Sequence, residues 1–268
     1  MSLRDAKILK IVPNSLTIGN SLCGFIAILY TLCAYGKDDP GAMLKVFVVS
    51  SWMIFAAMVF DALDGLAARA FHAASMTGIQ MDSLADMVTF GVAPATLVAI
   101  MTHVLRVKLT TEQILLTYAL CSVYLGCAAL RLAIYNVKAI TEHKNSKSFS
   151  GLPSPGGAAA ICVTIFFVYS LSTRETSSID LKRLAFILPG YAAFLGLLMV
   201  SNIPYVHVGK WLVTMGRSPR KLLLFIVLMT LVAIFRINAL AAIVTGYILS
   251  GPLSLLLPKK VRQRIFED

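Results

Sequence analysis

The sequence predicts an all-α integral membrane protein, a polytopic helical bundle of about eight transmembrane helices with a polar cavity facing the cytosol. Hydrophobic residues make up 58% of the 268, charged residues 14%, and the mean hydropathy is +0.80, which excludes an ordinary soluble domain. Apolar runs of spanning length recur along the chain, and in lipid such runs satisfy their backbone groups as helices. The net charge of +11 is scattered over short loops and chain ends rather than gathered in one soluble domain. That distribution favours anionic lipid over nucleic acid as the partner.

Taken in order, the runs fall at roughly 15–35, 43–70, 82–105, 112–138, 153–173, 183–201, 217–235 and 237–257. The residues ahead of the first run, MSLRDAKILKIVP, are too short and polar for a signal peptide, so the N-terminus is expected to stay. Asn14 and Thr17 follow Pro13 at the start of the first span, where they suit helix capping and local hydrogen bonding. The second span is almost wholly apolar over VFVVSSWMIFAAMVF and then turns acidic. Pro94 in the third span and Pro189 in the sixth are expected to kink them. Arg131, in the fourth, is the one basic residue well inside a span. Gly151, Pro153, Pro155, Gly156 and Gly157 break the chain and open the fifth. Only Arg236, Ile237 and Asn238 separate the last two spans, and a re-entrant hairpin is the alternative there.

Eight spans put both termini on one side, with fifteen basic residues against eight on the other. The positive-inside rule then assigns the termini to the cytosolic face of the cytoplasmic membrane. The sequence shows no internal repeat, so one membrane domain over 1–258 is expected, with its core at 13–205, additional helices at 217–257 and a basic cytosolic tail at 259–268. Cys23, Cys33, Cys121, Cys127 and Cys162 lie in apolar runs without CxxC spacing and are odd in number, so they read as buried small hydrophobes. The Met residues and the aromatics, Trp52 and Trp211 included, show no pattern beyond packing and lipid contact.

The feature that asks for an explanation is the stretch DALDGLAARAFHAASMTGIQMDSLAD, residues 61–86. Asp61 and Asp64 are three apart and Asp82 and Asp86 four apart, so each pair shares one helix face. Four carboxylates at the edge of hydrocarbon each cost several kcal/mol unless compensated, and Arg69 cannot balance four. Gly65 and Ala68 fall on the stripe of Asp61 and Asp64, leaving room for a ligand on that face. Carboxylate oxygens from two facing helices suit hard divalent cations such as Mg²⁺ or Mn²⁺, and two such ions can clamp a phosphoryl group. Two other readings stand beside this one: an inert network with Arg69, Arg131 and loop lysines, and a cation or proton pathway, which would spread its acids through the bilayer depth.

The spacing Asp61-x-x-Asp64-Gly65-x-x-Ala68-Arg69, eight residues, Gly78-x-x-x-Asp82-x-x-x-Asp86 resembles the signature of the CDP-alcohol phosphotransferase family, with every position filled. The resemblance implies a membrane enzyme that moves a phosphatidyl group from a CDP-linked lipid to an alcohol and releases CMP. It further implies two divalent metal ions, Mg²⁺ or Mn²⁺, held by Asp61, Asp64, Asp82 and Asp86, with Asp86 also the general base. Gly65 and Ala68 would make space for the cytidine nucleotide, Arg69 and Gly78 would lie along the nucleotide and diphosphate, and Asn14 and Thr17 would touch the CDP group. A homodimer is implied as well.

PNSLTIGN at 13–20, DSLADMVTFGVAPA at 82–95, LRLAIYN at 130–136, FSGLPSP at 149–155 and MVSNIPY at 199–205 look like the corresponding stretches of phosphatidylserine synthases. That likeness implies CDP-diacylglycerol and L-serine as substrates, with glycerol phosphate, inositol phosphate and choline as the acceptors of sister enzymes. Arg131, Asn136 and Ser154 are the candidate acceptor-binding residues. For Arg131, an ion pair with a central Asp stands beside binding of the serine carboxylate. Asn136 can equally satisfy a helix end. Direct attack on the lipid-side phosphorus is expected, because no Cys, His or Ser stands as an activated nucleophile near the signature, and His72 reads as a solvated loop residue.

Overall fold

Backbone polar groups in hydrocarbon must be satisfied within their own segment, and every regular element among the described residues is a helix. The computed structural model describes residues 3–70, 75–106, 109–141, 151–173, 181–205 and 219–254, and the side chains of 12–70, 75–106, 109–137, 151–173, 181–205 and 237–254. His72, Lys144, Lys147, Trp211 and the tail 259–268 lie outside these. The helices are α1 (Leu3–Leu32), α2 (Pro40–Ala70), α3 (Met76–Asp86), α4 (Ala93–Leu105), α5 (Thr111–Thr141), α6 (Ser154–Ser172), α7 (Leu181–Val200) and α8 (Pro219–Ser254). A π-helical segment, Met87–Val92, joins α3 to α4, so the two form one span, Met76–Leu105. Seven helical stretches among the described residues are long and apolar enough to cross a membrane.

The span Met76–Leu105 is the centre of the bundle. In its most apolar window 67% of residues are buried, against 28% for Val12–Gly36 at the periphery. Phe90, Leu97 and Met101 on it join Phe47 and Ile54 of α2, Tyr124 of α5, Ile161 and Ile165 of α6 and Leu195 of α7 in one core. Outward faces carry Ile18, Leu22, Phe25, Trp52, Leu116, Ile187 and Leu197, as lipid contact requires. Small residues set the closest approaches. A Cβ on Gly196 of α7 would stand 2.7 Å from Tyr124 Cα, and one on Gly24 of α1 would stand 2.9 Å from Thr89 Cα in the π segment.

Two prolines inside helices share one repair. Pro94 has no N–H for the carbonyl four residues earlier, that of Phe90, and its ring crowds that group. The backbone shifts to π register over Met87–Val92, and the buried Tyr124 hydroxyl donates to Phe90 O at 2.8 Å. The expected kink at Pro94 thus appears as a π turn just ahead of it. Pro252 in α8 leaves Ile248 O without its helical donor in the same way, and the Tyr205 hydroxyl donates to it at 3.1 Å. Pro189 lies inside α7, which runs on to Val200.

The last part of the chain differs from expectation. Where two spans or a hairpin were expected, α8 is one uninterrupted helix through Arg236, Ile237 and Asn238. Those residues carry no breaker: Ile and Arg are compatible with a helix, and a lone Asn costs only a few tenths of a kcal/mol. A continuous helix cannot turn back, so α8 crosses at most once.

Candidate metal and nucleotide site

Asp61 and Asp64 near the end of α2 face Asp82 and Asp86 on α3. Asp64 and Asp82 each lie six residues inside their span ends, roughly 9 Å along the axis, whereas Asp61 and Asp86 lie nine and ten residues in, roughly 13–15 Å. The arrangement has a shallow pair and a deep pair at one end of the bundle. Carboxylate oxygens of Asp61, Asp64 and Asp82 all lie within 4.8 Å of one another, and the Asp61 carboxyl is within hydrogen-bonding reach of Asp86. Three acids from two helices converge on one point, and Asp86 adjoins them through Asp61.

Helix α1 supplies what holds them. Thr17 Oγ1 donates to Asp64 Oδ2 at 2.8 Å and lies 3.0 Å from Pro13 O, while Asn20 Nδ2 donates to Asp86 Oδ1 at 3.0 Å. The Asn20 carbonyl accepts from Thr89 Oγ1 at 3.1 Å, which ties the same turn of α1 to the π segment after Asp86. Asn20 is fully buried, and Thr17, Asp64 and Asp86 are buried as well. Asn20 closes the segment PNSLTIGN and has no role assigned from the sequence. Its spacing, three residues after Thr17 on the same helical face, was the available signal.

The cleft above the acids is about 110 Å³ and is lined by Pro13, Asn14, Thr17, Asp64, Gly65, Ala68, Ser75, Gly78, Ile79 and Asp82. Seven of the expected nucleotide and metal residues therefore share one wall system: Asn14, Thr17, Asp64, Gly65, Ala68, Gly78 and Asp82. Gly78 sits in the first turn of α3, where its N–H donates to the capping Ser75 Oγ at 3.1 Å, and a Cβ there would lie 3.9 Å from Asn14 Oδ1. A Cβ on Gly65 would meet only the Arg69 guanidinium, at 3.9 Å, so that position is open space with a cation folded back over it. Arg69 itself is exposed.

The three acceptor candidates lie apart from this cleft. Arg131 Nη1 donates to Met199 O at 3.0 Å near the end of α7, beside Gly151, whose φ of +90° and crowding by Met199 O leave no place for a Cβ. Asn136 accepts from Ser83 Oγ at 2.7 Å and lines a separate cavity between α3 and α5 with Gln80, Ser83 and Leu132. Ser154 is buried at the start of α6.

A divalent cation fits the donor set on two observations. The ligand oxygens are hard carboxylates already gathered, and Asp82 Oδ1 is buried with no partner among the described residues, an arrangement that costs free energy until a cation or donor meets it. Four acids without a cation would repel one another at this range.

Comparison with known proteins agrees with this geometry. The family model for CDP-alcohol phosphatidyltransferase matches residues 10–199, from within α1 to the last turn of α7, and takes in the whole cleft. A Helicobacter pylori J99 protein named CDP-diacylglycerol–serine O-phosphatidyltransferase is 30% identical over 91% of this chain and 90% of its own length. A Bacillus subtilis protein of the same name is 31% identical over 74% of this chain and 92% of its own length, and one from Methanocaldococcus jannaschii is 31% identical over 61% and 66%. With the signature complete, its acids convergent and the family model covering most of the chain, the protein belongs to the CDP-alcohol phosphatidyltransferase family.

Proposed function

We propose that this chain transfers the phosphatidyl group of CDP-diacylglycerol to the hydroxyl of L-serine, giving phosphatidylserine and CMP. The observation that carries the proposal is the convergence of Asp61, Asp64 and Asp82 within 4.8 Å beneath a cleft walled by Gly65, Ala68 and Gly78. The similarity over most of the chain to proteins named for the serine reaction supports serine over other alcohols.

Asp61, Asp64, Asp82 and Asp86 would hold the divalent ions, Mg²⁺ or Mn²⁺. When bound, the ions neutralise the diphosphate and stabilise charge on the departing CMP. The chain's own residues do the rest. Gly65 and Ala68 leave room for the nucleotide, Arg69 and Gly78 flank the diphosphate, and Asn14 and Thr17 close the cleft from α1. Asp86 takes the proton of the serine hydroxyl as that oxygen forms its bond to the lipid-side phosphorus. The bond from that phosphorus to the CMP oxygen breaks, and CMP leaves with the electron pair. Asn20 fixes one oxygen of Asp86, so the other is presented in one direction. Arg131, Asn136 and Ser154 would act on the acceptor side.

The site end of the bundle is read as cytosolic, since both a nucleotide and an amino acid arrive from water there. Arg4, Lys7, Lys10, Arg69 and Lys138 belong to this end by chain order. A homodimer in the cytoplasmic membrane is the expected assembly. The test is purified protein with CDP-diacylglycerol, Mn²⁺ or Mg²⁺ and labelled serine. CMP release with phosphatidylserine formation, lost on chelation, is expected. Absence of CMP with serine, glycerol phosphate, inositol phosphate and choline alike would end the enzyme reading.

A further inference from the structure

At the end of the bundle opposite the acids, two cavities meet at Arg106. One, about 590 Å³, has a mixed lining of charged and apolar side chains, with Tyr35, Lys37, Asp38, His103, Arg106 and Ile114 among them. The other, about 510 Å³, runs between α5 and α7 past Leu116, Leu120, Phe186, Ile187, Gly190 and Phe194. Arg106 lines both. Its guanidinium stands 5.1 Å from the centre of the Phe186 ring and donates to Gln113 Oε1 at 3.2 Å. From Gln113 to Leu120 the groove follows α5 for roughly 10 Å into the hydrocarbon.

We infer that this composite cavity binds one anionic phospholipid, its phosphate held by Arg106 and Lys37 and an acyl chain laid along the groove to Gly190 and Phe194. Three independent observations support that occupant. Charge comes first. The described residues at this end include Lys37, Lys45, Arg106, Lys182 and Arg183 against Asp38, Asp39 and Glu112, and Asp38 is the one acid lining the cavities. Height comes second. Arg106 directly follows Leu105, the last residue of its span, and Lys37 directly follows Gly36, so both sit at the level of lipid phosphates. An unmet polar atom comes third: His103, in edge contact with Tyr35, lines the first cavity, and its Nδ1 is buried without a partner among the described residues. A phosphate oxygen is the kind of group that would meet it.

The groove has an open floor at Gly190. A Cβ there would touch nothing within 4 Å, beside Pro189, whose missing N–H thins the backbone contacts at that turn. That makes Gly190→Leu a filling substitution with little to displace. The site shares no residue with the acidic cleft, so it is independent of the proposed transfer reaction.

The test is native mass spectrometry of the delipidated full chain offered phosphatidylglycerol and phosphatidylcholine in equal amounts. One phosphatidylglycerol retained at least tenfold over phosphatidylcholine is expected. Arg106→Gln should abolish that preference, and Gly190→Leu should lower retention of both lipids. Glycerol 3-phosphate, which has the headgroup anion without chains, should not displace the bound lipid. Equal retention of the two lipids by the unaltered chain, unchanged retention in Gly190→Leu, or displacement by glycerol 3-phosphate would each overturn the inference.

Discussion

At the scale of single residues, two α1 side chains decide how the acids are held. Thr17 and Asn20 sit on one face of α1 and reach Asp64 and Asp86 respectively, each from a buried position where the bond is not shared with water. Asn20→Ala should lower kcat by about 10- to 100-fold with the KM for CDP-diacylglycerol within about twofold, because it releases the base without touching the cleft wall. Steady-state kinetics with both substrates varied checks this; a KM effect alone would show that Asn20 acts through the fold. Asp86→Asn should reduce turnover by about 10²–10⁴ while CDP-lipid binding, read by calorimetry in nanodiscs, persists. The acids were legible in the sequence because hydropathy makes a charge in a span conspicuous. Asn20 was not, because an amide in an apolar helix satisfies a partner that only the fold brings near.

At the scale of elements, proline repair links the core to the site. Tyr124 takes over the carbonyl that Pro94 strands, and the π turn this allows follows directly on Asp86 and carries Thr89, which bonds the carbonyl of Asn20. Tyr124→Phe leaves Phe90 O buried without its donor and should cost about 1–3 kcal/mol, measured as the shift in unfolding by denaturing detergent. No shift would mean that another donor replaces the hydroxyl. Pro94 was visible in the sequence, and a kink was the natural expectation. The outcome was a change of helical register, since the partner hydroxyl comes from a helix thirty residues away. The sequence also divided α8, because Arg236 and Asn238 suggested a polar turn, yet two polar residues among strong helix formers do not break a helix. Cysteines placed singly at Ser218 and Lys259 in a cysteine-free background should be labelled from opposite sides of sealed vesicles. Labelling from one side would restore the hairpin.

At the scale of the whole molecule, the bundle has two chemically distinct ends. One gathers four carboxylates under an open cleft, and the other gathers cations over an apolar groove. The class of fold was plain from hydropathy alone, and the seven apolar helices bear it out. The orientation argument was weaker than it looked, since it depended on the parity of the least secure spans. What stands without parity is connectivity. The middle of α1, the end of α2 and the length of α3 meet at one end, and the family signature lies within that meeting. The central claim is that this meeting is a metal-dependent phosphatidyl-transfer site. Its most direct measurement is CMP release from CDP-diacylglycerol by purified protein, with serine present and Mn²⁺ titrated. The account predicts serine-dependent CMP that is lost on chelation and in Asp61→Asn, and CMP release unaffected by chelation, or retained in full by that variant, would contradict it.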